Sequence, residues 1–368
     1  MAQQQWGGSP AYGQPPYRQP GYPPPRSASP YRQAPYGWGA YGQPQYGRPS
    51  FGGPQYGPAP RMPAPGGRSP LRLVLLALIG LSLVGLAFVA LTGVSSEQSE
   101  VAYQNDDYQV PPPDMSPPPL PVPQTYDEAV SFITKNTFYD QTTPLPVRCE
   151  SEPINVRTAS DSELEKHFNG LMECLVRFWE PPVTAGGFVI VRPTVTIYGS
   201  QITTKCGKAE VNAFYCAADQ QVYFSNRLPE AVPVVRREEW AADIVMAHEF
   251  GHSVQARTAI LVSSHALGAN ANDNSVELEL SRRLETQADC LSGMFVRGVS
   301  ESLGVDQADL KGIEQTYVAV GDDVLSGRPD IVGNHGRSQS RRYWGLVGLG
   351  TSEVDECNTF VADDSLIR

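Results

Sequence analysis

The run Trp240-Ala-Ala-Asp-Ile-Val-Met-Ala-His248-Glu249-Phe-Gly-His252-Ser-Val-Gln-Ala-Arg257 decides the reading of the chain, inside a segment from Trp240 to Val262 that reads as one helix. Residues four apart stack on one helix face, so the imidazoles of His248 and His252 can reach a single metal ion. Glu249 lies between them. Two neutral nitrogen donors, an open coordination position and a carboxylate that can take a proton from water are what hydrolytic zinc chemistry requires. Gly251 leaves room for another element to come close.

A catalytic zinc normally has three protein ligands, and two histidines leave one to be found. No third histidine follows at short range. The helix expected over Asn274–Val299, capped by Asn274 and Glu277, carries Glu285 and Asp289 four residues apart beside a stripe of Leu280, Leu284, Leu291 and Phe295. Glu285 is assigned to the metal. Asp289, one turn away, is assigned to accept the free ring N–H of a ligating histidine and so fix its tautomer.

Composition divides the rest of the 368 residues. Residues 1–70 are rich in Pro, Gly, Tyr and Gln and nearly devoid of aliphatic side chains, so they read as a disordered tail. Its regularly spaced tyrosines and prolines could recruit a cytosolic partner. Leu73–Gly93 is an apolar run of 21 residues, long enough to span roughly 30 Å, and 71–94 is therefore expected to be one transmembrane helix rather than a cleaved signal. Seven arginines and no acid precede residue 73. That places the tail in the cytosol and the remainder outside, in the cell envelope, as a single-pass membrane protein. Residues 95–124, rich in proline, read as a spacer.

Beyond residue 72 there are 21 basic and 39 acidic residues (28 Lys and Arg in all, less the seven), which argues against nucleic acid as a partner. All six cysteines lie past the apolar run, as suits an oxidising compartment. Chain order and the expected elements favour the pairs Cys149–Cys174, Cys206–Cys216 and Cys290–Cys357.

The folded part, 125–368, is expected to be α+β. It opens with a short helix at Tyr126–Lys135 and a helix capped by Ser160 and Glu163 that Pro181 and Pro182 stop. His167 on that helix reads as a packed or hydrogen-bonded residue rather than a ligand. Strands follow at Phe188–Val191, Thr194–Tyr198 and Gln221–Phe224, the last expected to line the cleft and hold an extended peptide. Helical segments at Arg236–Val262, Asn274–Val299, Asp306–Asp323 and Ser338–Leu349 complete the chain.

His-Glu-Phe-Gly-His-Ser-Val-Gln at 248–255 and Leu-Glu-Thr-Gln-Ala-Asp-Cys at 284–290 resemble the bacterial neutral zinc metallopeptidase family, whose gluzincin-type pattern is HExxH followed by ExxAD. The likeness extends to Cys206-Gly207, Phe214–Gln220, His335-Gly336, Arg341, Trp344 and Cys357–Phe360, and covers roughly residues 160–362. It implies a zincin-like fold, one Zn2+ on His248, His252 and Glu285, Glu249 as general base, and peptide or protein substrates; it also supports the Cys290–Cys357 pair. An oxyanion donor is still required, and His335 is the leading candidate, with Tyr317 and Arg341 behind it. The reading is a membrane-anchored zinc endopeptidase. The competing one is a non-enzymatic, zinc-stabilised envelope scaffold.

Overall fold

The computed structural model describes residues 101–368 apart from Glu152 and Val332, so the tail and the apolar run expected to cross a membrane lie outside the described residues. Along the described chain run α1 (Tyr126–Thr134), α2 (Asp161–Ala185), β1 (Val195–Tyr198), β2 (Gln201–Thr204), β3 (Gly207–Glu210), β4 (Ala213–Cys216) and β5 (Gln221–Ser225). Then come α3 (Leu228–Ala231), a 3-10 turn at Pro233–Arg236, α4 (Ala241–Arg257), α5 (Ile260–Ala269), α6 (Asn274–Leu303), α7 (Leu310–Ala319), α8 (Asp322–Ser326) and α9 (Ser338–Gly350). The expected α+β class with a transmembrane helix needs correction. The described chain is mostly helical, with a three-stranded sheet and a separate hairpin of four-residue strands, and none of its helices is long and apolar enough to cross a membrane.

The sheet order is β1-β5-β4, with β5 parallel to β1 and antiparallel to β4, while β2 and β3 form the hairpin. Phe188–Val191 forms no strand. β5 is buried along its whole length and paired on both edges, so it cannot take up a peptide as expected; β1 and β4 are the edge strands, and β4 is the one that lines the cleft with Glu249.

Local chemistry explains the shifted helix boundaries. The capping box of Ser160 and Glu163 starts α2 as expected, but the helix runs through Pro181 and Pro182 to Ala185. Proline removes the N–H that would reach the carbonyl four residues back. For Pro181 that carbonyl belongs to Arg177, and it is satisfied instead by the Asn105 side chain at 2.8 Å. The zinc-motif segment is two helices rather than one. Ala259 takes φ +66°, a left-handed conformation that ends the turn, and the Thr258 carbonyl freed there accepts from Asn136 Nδ2 at 2.8 Å. At α6 the cap is Asp273, whose side chain accepts from the Ser275 N–H, one residue before the expected cap.

α4 is buried on nearly every side, between α2, β4, α6 and α7. Phe138, Phe168, Phe178, Trp179, Phe224 and Phe250 fill the core around it. Such a helix lacks the one-sided apolar stripe of a surface helix. Two glycines set the interhelical distances. A Cβ on Gly251 would come within 3.2 Å of the Ala288 Cα of α6, and one on Gly348 of α9 would collide with the Cys290 carbonyl. All three expected disulfides are present, with Cys290–Cys357 tying α6 to the C-terminal segment.

Of the stretch 95–124, expected to stand clear as a spacer, residues 104–120 lie along the domain. Tyr108, Val110 and Leu120 pack on its core, and the Pro118 carbonyl accepts from Gln220 Nε2 at 2.9 Å and Arg257 Nη1 at 3.0 Å. The Gln220 and Arg257 side chains thereby tie the proline-rich stretch to the domain.

Candidate metal centre

α4 presents His248 and His252 to α6, which presents Glu285 in return across the close approach at Gly251. His248 Nε2 lies 3.2 Å from Glu285 Oε2 and His252 Nε2 lies 3.5 Å from Glu285 Oε1. One donor atom from each residue falls within a set no wider than 4.8 Å, the one such three-residue cluster among the described residues. Two imidazole nitrogens and a carboxylate suit zinc. Both Nδ1 atoms are engaged elsewhere, which leaves the Nε2 atoms for an ion, and the residues present therefore fit one.

His248 Nδ1 meets Asp289 Oδ1 at 2.9 Å. Asp289 is 1% exposed and accepts from Arg341 Nε at 2.7 Å and Nη2 at 2.8 Å; Arg341 Nη1 donates to the Val320 carbonyl at 3.1 Å. Burial would raise the Asp289 carboxyl, but the guanidinium beside it and the bonded imidazole hold it below the usual carboxylate range. Glu285 behaves alike. Burial pushes it up and the facing imidazoles outweigh that, leaving it well below the ordinary value. His252 turns its Nδ1 to Gln255 Oε1 at 2.8 Å, and burial lowers its pKa to about 4.

Glu249, 8% exposed, shares the cleft with these groups. Its Oε2 accepts the Tyr215 backbone N–H at 2.9 Å, and burial, partly opposed by His248, raises its pKa to about 7. The Tyr215 amide is free to do this because of the strand register. Ser225 donates to the Asn212 carbonyl at 2.9 Å, so in the alternating antiparallel pattern Ala213 and Tyr215 turn their backbone groups away from β5, toward the cleft.

The cleft encloses about 330 Å³. Beyond the candidate ligands it is lined by Asn212–Tyr215, Val232, Val235, Tyr317, Val320, Leu325 and His335, among others. His335 Nδ1 is bonded to Asp322 Oδ1 at 3.1 Å, and the same carboxylate takes the backbone N–H groups of His335 and Gly336. That bond raises the His335 pKa and leaves Nε2 unbonded by protein. The other two candidate donors are used internally: Tyr317 bonds Ser292 at 2.8 Å, and Arg341 serves Asp289. His167 is hydrogen-bonded, as expected, through Nε2 to Asp243 at 2.7 Å, and lies apart from the metal cluster.

Sequence reasoning missed Gln255, the Tyr215 amide and the Arg341–Asp289 pair. Gln255 was within reach, since it stands three residues after His252 on the same helix face. The other two depend on contacts distant in sequence.

The motif helix, the convergent glutamate and the buried carboxylate at a cleft together define a candidate metal centre of the HExxH kind. The chain belongs to the family described as "Putative neutral zinc metallopeptidase", whose model matches residues 140–360. It is similar to the uncharacterized protein YpfJ of Escherichia coli K12, with 29% identity over 57% of this chain and 77% of that protein. It is also similar to the uncharacterized proteins Mb2605 of Mycobacterium bovis and Rv2575 of Mycobacterium tuberculosis, each with 31% identity over 47% of this chain and 64% of the relative. No solved structure matches the chain.

Proposed function

We propose that the chain hydrolyses peptide bonds, with His248, His252 and Glu285 holding one Zn2+ and Glu249 moving the proton. The observation that carries this reading is a buried carboxylate beside a donor set of three at an open cleft, whereas a purely structural zinc is closed by four protein ligands. When bound, zinc supplies Lewis acidity at the open side of the donor set. Glu249 is held through Oε2 by the Tyr215 amide, so Oε1 is the atom that takes a proton from water in the cleft and delivers it to the leaving nitrogen. His335 Nε2 faces the same cleft and donates to the developing oxyanion.

The free edge of β4 aligns the substrate. An extended peptide adds antiparallel or parallel to it through the outward groups of Ala213 and the Tyr215 carbonyl. Three disulfides in the described domain suit work in an oxidising compartment, on envelope or secreted proteins.

The test uses the full chain. Metal content is measured together with cleavage of a broad peptide panel for wild type, Glu249→Gln and Glu285→Ala. The proposal expects one zinc per chain, cleavage lost in Glu249→Gln with zinc retained, and zinc lost in Glu285→Ala. Stoichiometric zinc without Glu249-dependent cleavage assigns the domain to a zinc-stabilised scaffold instead.

A further inference from the structure

His252 is supported differently from His248. Its Nδ1 partner is neutral: Gln255, fully buried, offers Oε1 at 2.8 Å. An amide can point either end at an imidazole, so what fixes the Gln255 orientation decides which ring nitrogen carries the proton.

Gln255 Nε2 lies 2.8 Å from the Leu284 backbone carbonyl and 3.1 Å from Gln287 Oε1. A backbone carbonyl only accepts. The nitrogen end of Gln255 must therefore face Leu284, and the oxygen end must face His252. Gln287, 1% exposed, repeats the logic one step out: its Nε2 donates to the Cys357 carbonyl at 3.0 Å and to Tyr139 Oη at 2.9 Å, leaving Oε1 to accept from Gln255. Both buried amides have every polar atom bonded. A flipped Gln255 would place two donors against His252 Nδ1 and an oxygen against a carbonyl, stranding buried polar groups.

We infer that Gln255 is a positioning residue, and that the carbonyls of Leu284 and Cys357, acting through Gln255 and Gln287, hold the His252 proton on Nδ1 so that Nε2 presents its lone pair beside Glu285. The chain of amides ends on a disulfide cysteine. Cys290–Cys357 fixes the segment whose carbonyl orients Gln287, and so extends the support of His252 to the C-terminal end of the fold. The inference rests on the metal-site reading above for its consequence, but the tautomer belongs to the metal-free protein.

The test measures both on the full chain. Metal-free protein labelled with 15N-histidine reports the His252 tautomer by NMR, with the resonances assigned by their loss in His252→Ala. Zinc affinity is then measured by chelator competition for wild type, Gln255→Leu, Gln255→Glu and Gln287→Leu. Expected are an Nδ1–H tautomer in wild type, a substantial Nε2–H population in Gln255→Leu, and zinc affinity roughly 10–100-fold lower there. Gln255→Glu keeps an acceptor for the ring N–H and so keeps the Nδ1–H tautomer, but at a cost in stability because its second oxygen meets the Leu284 carbonyl and Gln287 Oε1, and Gln287→Leu shows a smaller loss of affinity than Gln255→Leu. A wild-type His252 in the Nε2–H form overturns the inference whether or not any variant folds. So does Gln255→Leu with wild-type tautomer and affinity. If wild type binds no zinc while His252 keeps its Nδ1 proton, the metal reading has failed and the positioning has not.

Discussion

Arg341→Met tests the charged support of His248. Asp289 is almost fully buried and accepts three bonds, two from Arg341 at 2.7 and 2.8 Å and one from His248 at 2.9 Å. Removing the arginine deletes two of the three, each a charge-assisted bond of about 1.5–3 kcal/mol, and strands an anion in the interior. Breaking one partner of a buried pair costs about 3–5 kcal/mol. Taking about 4, the folded-to-unfolded ratio falls by roughly a thousandfold and the Tm drops by roughly 8–16 °C, at about 2–4 °C per kcal/mol for a domain of this size. Denaturant titration of metal-free full chain measures it. The double variant Asp289→Leu/Arg341→Met should recover at least about 2 kcal/mol over the sum of the single losses, because an apolar pair of similar volume needs no desolvation of charge. Its zinc affinity should stay low, since His248 Nδ1 then has no carboxylate acceptor. A loss below about 1 kcal/mol in Arg341→Met, or strict additivity in the double variant, would falsify the claim that the pair is a coupled buried unit.

Substituting His335 by alanine should lower kcat by roughly 10²–10³ with little change in KM, as expected for a donor used in the transition state; unchanged turnover removes His335 from the mechanism. Gly251→Val should force α4 and α6 apart at Ala288, costing about 1–3 kcal/mol and weakening zinc binding, whereas Gly→Ala at the exposed Gly350, with no atom near its missing Cβ, leaves zinc affinity unchanged. Both are read by denaturant titration and chelator competition. The His335–Asp322 pair gives a pH prediction. The raised histidine contributes its full stabilisation below the unfolded imidazole pKa of about 6.5 and loses it as pH rises through its folded value; the lowered Asp322 contributes above about 3.9 and loses it as pH falls. Amide exchange at residues 335 and 336 should be slowest, after correction for the intrinsic rate, between about pH 4 and 6.5. Asp322→Ala should abolish that minimum.

The metal residues were legible because they obey local rules. His248 and His252 sit one helical turn apart with Glu249 between them in sequence, and Glu285 and Asp289 repeat that spacing on a helix with its own apolar stripe. The resemblance carried the same residues. What could not be read followed from contacts between distant segments. Nothing near Pro181 announces that Asn105 will take up the carbonyl the proline frees, and nothing near Ala259 shows that Asn136 will stabilise a helix break there. β4 was passed over for a similar reason. Gln221–Phe224 has the β-branched and aromatic run expected of a strand buried and paired on both edges, whereas Ala213–Cys216, which faces the cleft, is only partly buried and paired on one edge, and its short Ala-Phe-Tyr-Cys run carries no alternation to mark it.

The two histidines therefore solve one problem with opposite electrostatics. His248 is oriented by an anion whose charge Arg341 balances, so its support depends on a buried ion pair and fails abruptly when one partner goes. His252 is oriented by a neutral amide whose direction is imposed by two backbone carbonyls, so its support is spread over Leu284, Gln287, Tyr139 and Cys357. Placing a second carboxylate there would have added negative charge to a pocket that already holds Glu249, Glu285 and Asp289 with one guanidinium beside them. Like charges at short range in a low-dielectric interior raise carboxyl pKa values, Glu249 among them. A neutral support for His252 fixes its tautomer without that repulsion, and leaves the proton on Glu249 to be set by burial, by His248 and by the Tyr215 amide.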